Sequence, residues 1–413
     1  MPLAKTTKSF ATNLIAYGAS EVAAKASRLL VVVAVARTLD LTQIGIAASA
    51  MAAGDLLKAL TENGVGQRII AAGDATLEAT CTAARRIFWL WCIGLFAVQA
   101  LIASALYLSG GSTVLAGLIL LMGLEYLFMP AGLVQVALAM RAGKLRQTAA
   151  IGGAQVVGAN LLSVLFVLIF PSALALILPR VLSAPIWLCA VRALHPWAPE
   201  AGTKPAPLGP FIAYGWAVLG VEIVKVLRLQ GDKIVVGLTL GPQALGLYFM
   251  AFNAGLSLSN AFATAFSTVV FPHLSQSNDP VAAMRQSIVV GLCLIAPIVM
   301  VQSALASLYV PALLGQGWED VAPLVSILCL VAIPTTLWAT AAGWLRVQGK
   351  PQVELWMTAV LALAVLASTL LLAPFGLNAM AVGYLAVAGG LMLLGALCTL
   401  QGDLVPSSPE VQP

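Results

Sequence analysis

The chain has few charged residues, and this scarcity excludes most water-soluble folds. Asp, Glu, Lys and Arg together make up 9% of its 413 residues, against about 25% in soluble domains. Hydrophobic residues make up 61% and the mean hydropathy is +0.98. A soluble protein of this composition would need a core larger than its surface could enclose. The sequence therefore indicates that lipid is the solvent for most residues.

Histidine and paired cysteine are also scarce, which argues against metal, redox and disulfide chemistry. The chain has two histidines and six cysteines, and no Cys-x-x-Cys pair occurs among Cys81, Cys92, Cys189, Cys293, Cys329 and Cys398. This spacing fits neither a zinc site nor a disulfide framework, so no metal or cofactor is predicted. His195 and His273 lie beside prolines and are interpreted as loop residues at helix ends.

What the chain does have is about twelve apolar segments of the length that crosses a bilayer, roughly 20 residues each. The first six are predicted at about 10–36, 44–67, 87–108, 113–140, 147–169 and 173–193. The second six are predicted at about 211–239, 243–271, 286–309, 321–345, 352–372 and 378–400. The first segment contains Glu21, Lys25 and Arg28 and has no clear cleavage site, so we expect a retained helix and not a signal peptide.

The domain organisation predicted from these segments is two six-helix halves. They span 1–194 and 211–400, joined by a proline-rich cytoplasmic linker at 195–210 and followed by a disordered tail at 401–413. With the N-terminus inside, the predicted cytoplasmic segments carry the great majority of loop Lys and Arg, and the opposite side carries Arg37 only. This asymmetry predicts that both termini and the linker are cytoplasmic.

An internal repeat relates the two halves. Thr38–Gly45 reads TLDLTQIG and Thr239–Gly246 reads TLGPQALG, and the same offset pairs Glu21 with Glu222. A looser echo links Arg141–Lys144 to Val347–Lys350. Because each half has an even number of spans, the repeat is parallel, and its substrate site is expected between the halves. The predicted fold is an all-α polytopic membrane protein with two pseudo-symmetric halves around a central cavity.

Several short patterns resemble those of the bacterial polysaccharide flippase family, in the superfamily that also contains multidrug and toxin extrusion transporters. They are Ala36-Arg37-Thr38-Leu39 with Gly45, Glu62–Gln67, Gly231-Asp232-Lys233, Leu240-Gly241, Ala244–Tyr248, Val269–Ser275, and Leu345-Arg346 with Gly349-Lys350. The resemblance implies a non-enzymatic flippase for lipid-linked O-antigen or exopolysaccharide units. It also implies the bacterial inner membrane as location, and a polymerase and export machinery as partners. Some members of the family have fourteen helices, whereas this chain ends after twelve.

Charged residues within the predicted spans are the candidate site residues. Each costs about 2.5–3.5 kcal/mol at mid-bilayer, so they are expected to face a cavity and not lipid. A lipid-linked sugar of the kind implied by the resemblance carries a diphosphate, which Arg and Lys bind well. The predicted substrate-binding residues are Lys25, Arg28, Arg180, Lys225 and Arg228. Asn253, Ser257, Asn260 and Thr264 would form an uncharged polar face on the eighth span.

Six acidic residues within the spans are candidates for binding a coupling proton or sodium ion: Glu21, Asp55, Glu62, Glu125, Glu222 and Asp232. The alternative is that acids and bases pair structurally within their own helices, as Glu21 with Lys25, Asp55 with Lys58 and Glu222 with Lys225 are spaced to do. Arg28 and Arg180 have no acid one turn away on the same helix, which favours a functional role for them. Arg228 has Asp232 four residues further on and is kept as a candidate with them.

Two other functions remain open at this stage. A drug or cation antiporter of the same superfamily would also need intramembrane acids, although the apparent excess of Arg and Lys favours an anionic substrate. A membrane-embedded polysaccharide polymerase is disfavoured because the outward loops are short and hold no cluster of catalytic residues. Gly64-Val65-Gly66 lacks the strand and the Gly-Lys-Ser/Thr of a phosphate loop. No nucleic-acid partner is predicted.

Overall fold

The protein is seen in a computed structural model that describes residues 26–61, 63–200, 202–275, 277 and 279–404. Every regular element in these residues is helical, which confirms the predicted all-α class. The N-terminal part forms α1 (26–38), α2 (Leu41–Ala59), α3 (Val65–Ala71), α4 (Leu77–Leu108), α5 (Thr113–Gly123), α6 (Glu125–Phe128), α7 (Pro130–Arg141), α8 (Leu145–Ile169) and α9 (Leu174–Leu194). The C-terminal part forms α10 (Gly209–Ser275), α11 (Pro280–Ala304), α12 (Ala306–Leu314), α13 (Val321–Leu328), α14 (Ala332–Val347), α15 (Pro351–Leu372), α16 (Leu377–Tyr384) and α17 (Gly390–Leu404).

The chain is a multi-pass membrane protein. Within the described residues, eight helical stretches are long and apolar enough to cross a bilayer. A ninth results if Thr113–Phe128 and Pro130–Arg141, which meet at 51°, form one broken span. Pro130 begins the second half of this pair, and a proline lacks the N–H that would continue the helix. The bend therefore follows from the sequence.

Breaks in the helical backbone, or the limits of the described residues, affect four of the predicted spans. Most of the first lies outside the described residues. The second is divided into α2, which ends at Ala59, and α3, which begins after Gly64, a left-handed N-cap with φ 77°. The seventh and eighth are two helices, as predicted, and non-helical backbone at Gly241, with φ 82° and ψ −180°, separates them within the stretch called α10. Only glycine adopts that backbone conformation without strain.

Packing divides the described residues into two compact units. The N-terminal packing unit comprises Arg37–Gly237 and Gly241–Gly246. The C-terminal packing unit comprises the described residues up to Ala36, Leu238–Leu240 and the described residues from Leu247 onward. The predicted linker at 195–210 thus lies inside the N-terminal packing unit, and α1 is grouped mainly with the C-terminal one. The division of the sequence into two repeated halves stays a prediction.

The two repeat turns contact each other reciprocally in the N-terminal packing unit. A Cβ atom added at Gly45 would overlap the carbonyl oxygen of Pro242, and one added at Gly246 would lie 2.5 Å from the carbonyl oxygen of Leu41. The same offset of 201 residues separates Leu41 from Pro242 and Gly45 from Gly246. Gly45 of the first turn therefore meets Pro242 of the second, and Gly246 of the second meets Leu41 of the first. This reciprocal pattern is that of a two-fold interface. This geometry supports the predicted repeat.

The looser echo of the repeat also has a common geometry. Gly143 and Gly349 both adopt left-handed backbone, with φ of 76° and 73°. The amide of Lys144 donates to the carbonyl of Ala139 at 2.9 Å, and that of Lys350 donates to the carbonyl of Leu345 at 2.8 Å. Both turns therefore end their helices in a Schellman motif, which satisfies carbonyls that the helix end leaves unpaired.

Each packing unit has its own apolar core, while large apolar side chains also cover the outside. In the C-terminal packing unit Phe266, Trp338 and Met392 are buried in one cluster. Leu108 and Leu238, by contrast, are more than 80% exposed. A soluble protein rarely leaves such residues in contiguous exposure, whereas lipid-facing helices require them.

Candidate functional site

Asp55 of α2 is held by donors from two other helices in the N-terminal packing unit. Nη1 of Arg180, in α9, donates to Oδ1 of Asp55 at 3.0 Å. Nε2 of Gln230, in α10, donates to Oδ2 at 3.1 Å. Both carboxylate oxygens are thus satisfied, as a charge within an apolar bundle requires. Arg180, which has no acid one turn away on its own helix, has one across the bundle.

A second ion pair lies one helical turn from Asp55. Lys58 of α2 pairs through Nζ with Oε1 of Glu125 in α6. The Glu125 side chain is 12% exposed and that of Lys58 46% exposed, so the carboxylate is the more enclosed partner. We call Asp55, Lys58, Glu125 and Arg180 the charged cluster. Two positive and two negative groups give it no formal net charge.

The local sequence explains why these side chains lie together. Asp55 and Lys58 are three residues apart and share one face of α2. Gly54 has no side chain, and a Cβ there would overlap the terminal methyl of Met122 in α5, so α2 and α5 approach closely. Glu125 begins α6, directly after α5 ends.

These contacts correct two readings of the sequence. The predicted structural alternative of an Asp55–Lys58 pair is wrong, because each residue pairs with a different helix. The expectation of excess positive charge is also not met in the charged cluster, where Arg180 is balanced by Asp55. Ion pairs between helices depend on which faces meet in the folded bundle, and spacing along one helix does not contain that information.

In the C-terminal packing unit, Arg28 of α1 contacts a buried amide. Its Nε donates to Oδ1 of Asn253 at 2.8 Å, and Asn253 Nδ2 donates in turn to the carbonyl of Phe249 at 2.7 Å. Asn253 is 5% exposed. Asn253, of the predicted polar face of the eighth span, is therefore hydrogen-bonded to Arg28. The side chains of Ser257, Asn260 and Thr264 lie outside the described part.

Several predicted site residues cannot be placed by side-chain geometry. Glu21, Lys25 and Glu62 lie outside the described residues. Lys225 and Arg228 lie on α10, where only their backbone is described. Glu222, on the same helix, is half-buried. The structure brings Arg180, Asp55 and Glu125 into one cluster; for the others the site assignment stays a prediction.

Asp232, also predicted as a coupling acid, is 1% exposed. Its Oδ1 accepts from the backbone N–H of Lys233 at 2.9 Å and lies 3.7 Å from Lys233 Nζ. The Lys233 Nζ also donates to the carbonyl of Leu229. This local pair buries both charges and resembles a structural staple more than an accessible ion site.

Sequence reasoning missed Gln230, which completes the coordination of Asp55. The available signal was a polar residue within an apolar stretch, close to Asp232 and Lys233. Within the described residues, no group of three or more His, Cys, Asp or Glu side chains is placed to hold a metal ion.

Comparison with known proteins extends over most of the chain. A family model described as "Polysaccharide biosynthesis protein" matches residues 34–323. The Amylovoran biosynthesis protein AmsL of Erwinia amylovora is 21% identical over 173 residues. That match covers 41% of this chain and 45% of AmsL, so it spans less than half of the relative.

Solved structures show the fold. The Lipid II flippase MurJ in an inward closed conformation superposes with a TM-score of 0.79 at 11% identity, over 94% of this chain and 87% of MurJ. An inward-facing multidrug resistance MATE family transporter of the MOP superfamily superposes with a TM-score of 0.68 at 12% identity, over 92% of this chain and 96% of that one. The architecture is thus the one found in transporters of this superfamily.

Proposed function

The chain belongs to the polysaccharide biosynthesis protein family, and from this premise we propose that it is a flippase for an anionic lipid-linked oligosaccharide. It would carry the sugar unit across the bacterial inner membrane by alternating access, driven by a coupling ion. Both termini would be cytoplasmic, and a polysaccharide polymerase and export machinery would act on the product. The protein would make and break no covalent bond.

The observation that carries this proposal is the charged cluster inside a chain of this family. Four ionisable side chains from α2, α6 and α9 meet among apolar helices, where each isolated charge would cost several kcal/mol. Such residues in membrane bundles commonly mark substrate or ion pathways. The Lipid II flippase MurJ shares the fold, and this likeness supports a lipid-linked substrate.

For the substrate diphosphate we propose binding by Arg28 and Arg180, together with Lys25, Lys225 and Arg228. The structure refines the role of Arg180, because its guanidinium is already engaged by Asp55. A diphosphate would have to replace that carboxylate as the partner of Arg180. The planar guanidinium offers several donors in one plane, so it can exchange one oxyanion for another without changing its position.

For coupling we propose that protonation of Asp55 releases Arg180 toward the substrate. A neutral Asp55 keeps its place through Gln230, while its attraction for Arg180 falls. Glu125, enclosed beside Lys58, is the second candidate on the described cluster. Glu21, Glu62, Glu222 and Asp232 stay candidates from sequence, with Asp232 the least accessible of those described.

A drug or cation antiporter is the second candidate function, favoured by the likeness to the MATE family transporter and by the balanced charge of the cluster. The two functions differ in the species that accumulates when the gene is removed. A flippase mutant retains lipid-linked sugar, whereas an antiporter mutant becomes sensitive to cationic drugs.

The deciding experiment is deletion with separate measurement of each step. We expect lipid-linked oligosaccharide to accumulate on the cytoplasmic leaflet and surface polysaccharide to be lost, while glycosyltransferase activity in membranes is unchanged. Complementation with the wild-type gene controls for effects on neighbouring genes. Normal flipping with shorter surface chains would instead indicate a polymerase, and normal polysaccharide with drug sensitivity would indicate an antiporter.

A further inference from the structure

A basic groove lies on the N-terminal packing unit, where α4, α7 and α9 meet the segment that follows α9. It consists of two cavities of about 390 and 570 Å³ that share Arg85, Trp89 and Pro199. The charged and large aromatic residues that line this basic groove are Arg85, Arg86, Arg192, Trp89, Trp197 and Glu200. None of them belongs to the charged cluster.

The basic groove carries a positive charge that its surroundings do not neutralise. Three guanidinium groups and the Glu200 carboxylate line it, and with the Glu78 carboxylate at its outer wall the formal charge is still +1. Arg85 and Arg86 are exposed, and among the described residues neither has an ion-pair or hydrogen-bond partner for its side chain. Other arginines of this chain are paired at helix ends, as Arg141 is with Asp74 at 2.6 Å. Burial, and then nearby Lys144, lower the pKa of His195, which disfavours the charged form of this neighbouring imidazole.

The arginines lie at the depth of lipid phosphates. Residues 87–108 of α4 are an uncharged run of 22 residues, which at 1.5 Å per residue spans about 33 Å, close to the hydrocarbon thickness of about 30 Å. Arg85 and Arg86 directly precede this run. Arg192 lies two residues before the end of α9. All three are therefore placed at the membrane–water interface, where Trp89 and Trp197 are also favoured.

The outer wall of the basic groove is held in place by hydrogen bonds. The Glu78 carboxylate accepts from Nε1 of Trp197 at 3.0 Å and from the backbone N–H of Glu200 at 3.2 Å. Further along the segment, the amide of Ala206 donates to the carbonyl of Ala79 at 2.9 Å. The segment after α9 is thus fastened to the first turns of α4, and the groove exists before any ligand binds. A preformed site avoids the ordering cost of binding.

We propose that the basic groove binds the phosphate-bearing headgroup of an anionic membrane lipid. Guanidinium groups bind phosphate oxygens through charge-assisted hydrogen bonds, and basic pockets at the cytoplasmic ends of membrane helices are suited to such headgroups. Leu90, 75% exposed, lines the second cavity and continues it onto the apolar face of α4. An acyl chain would lie there while the phosphate contacts Arg85.

Two lipids share this chemistry: an ordinary anionic phospholipid, and the diphosphate-bearing lipid of the proposed function. The inference concerns binding and does not depend on transport. The test therefore measures lipid affinity of the full-length protein in detergent micelles with labelled phosphatidylglycerol. The competitors are unlabelled phosphatidylglycerol, phosphatidylethanolamine, polyprenyl diphosphate and inorganic pyrophosphate.

We expect the Arg85→Gln/Arg192→Gln variant to weaken phosphatidylglycerol binding by roughly tenfold or more, since the loss of one charge-assisted hydrogen bond to phosphate has about that effect. Lys350→Gln is the matched control. It removes one exposed positive charge from the C-terminal packing unit, and we expect it to change affinity by less than about twofold. Thermal unfolding of each variant checks the fold, and Arg86→Gln, at an exposed position, serves if the double variant unfolds early.

The competitors identify the occupant. Displacement by polyprenyl diphosphate at concentrations where phosphatidylglycerol competes poorly would support the site and assign it to the substrate. Displacement by phosphatidylglycerol, with pyrophosphate ineffective, would support it as a phospholipid site. Three results would overturn the proposal. Phosphatidylethanolamine could compete as well as phosphatidylglycerol, the groove and control variants could have equal effects, or pyrophosphate could bind as tightly as either lipid.

Discussion

The proposed function and a purely structural role predict different results for variants of Arg180 and Asp55. If Arg180 is a staple for Asp55, Arg180→Ala leaves a carboxylate with Gln230 alone and destabilises the protein by about 1–3 kcal/mol, since the pair is partly exposed. Arg180→Ala/Asp55→Asn should then recover both abundance and transport. If Arg180 contacts the diphosphate, or Asp55 carries the coupling proton, the double variant should be abundant and still inactive.

We expect the second result, with Arg180→Lys partly active because it keeps the charge and loses the planar donor set. Membrane abundance and flipping of lipid-linked sugar are measured together for each variant. Arg346→Gln/Glu354→Gln is the control, since it removes a bidentate pair at 2.7 and 2.5 Å outside the charged cluster, and we expect it to transport normally. Full transport in the Arg180/Asp55 double variant would show that Arg180 is structural.

For single residues, the sequence predicts which side chains avoid lipid better than it predicts which side chains they contact. That Arg180, Asp55 and Glu125 would avoid lipid follows from the cost of a charge in hydrocarbon. That Arg180 meets Asp55, 125 residues away, depends on the packing of α2 against α9. Gln230 was not identified because an uncharged amide in an apolar helix adds little to a charge pattern.

The helices themselves depend on two close approaches that glycine makes possible. We expect Gly45→Ala and Gly246→Ala each to destabilise the protein by about 1–3 kcal/mol, because the added methyl group overlaps backbone that cannot move freely. Gly117→Ala in α5 is the control: its added Cβ would have no atom within 4 Å, and alanine favours a helix by up to about 1 kcal/mol. Thermal unfolding in detergent gives the comparison. Equal unfolding temperatures for Gly45→Ala and Gly117→Ala would show that the close contact between the two repeat turns does not stabilise the protein.

The sequence predicts the bounds of a helix to within about two residues where an apolar run has clear turn signals, as for α8, α9 and α15. It predicts less well where a helix is interrupted within an apolar run, as for α11, which runs from Pro280 to Ala304 where a span at about 286–309 was expected. The division before Gly64 and the bend before Pro130 both depend on local backbone geometry, to which hydropathy is insensitive. The repeat at Gly45 and Gly246 was visible in sequence because close packing there restricts both positions to the same residue.

For the whole molecule, the distribution of Lys and Arg predicts that the segment around Lys204 is cytoplasmic. A single cysteine introduced as Lys204→Cys, with Cys189, Cys293 and Cys398 replaced by serine, should react with a membrane-impermeant maleimide only after the membrane is opened. Arg37→Cys in the same background is the control and should react in intact spheroplasts. Labelling of both positions from outside would contradict the predicted orientation.

The pairing of charges in the cluster also has an electrical consequence. A unit charge that crosses the full membrane potential exchanges about 2.3 kcal/mol per 100 mV with the field. Asp55 with Arg180 and Lys58 with Glu125 sum to zero, so displacing the cluster as a whole does almost no electrical work. The contribution of this cluster to any voltage dependence of the transport cycle would then come from the state in which Asp55 is protonated, because that state alone leaves one positive charge unbalanced.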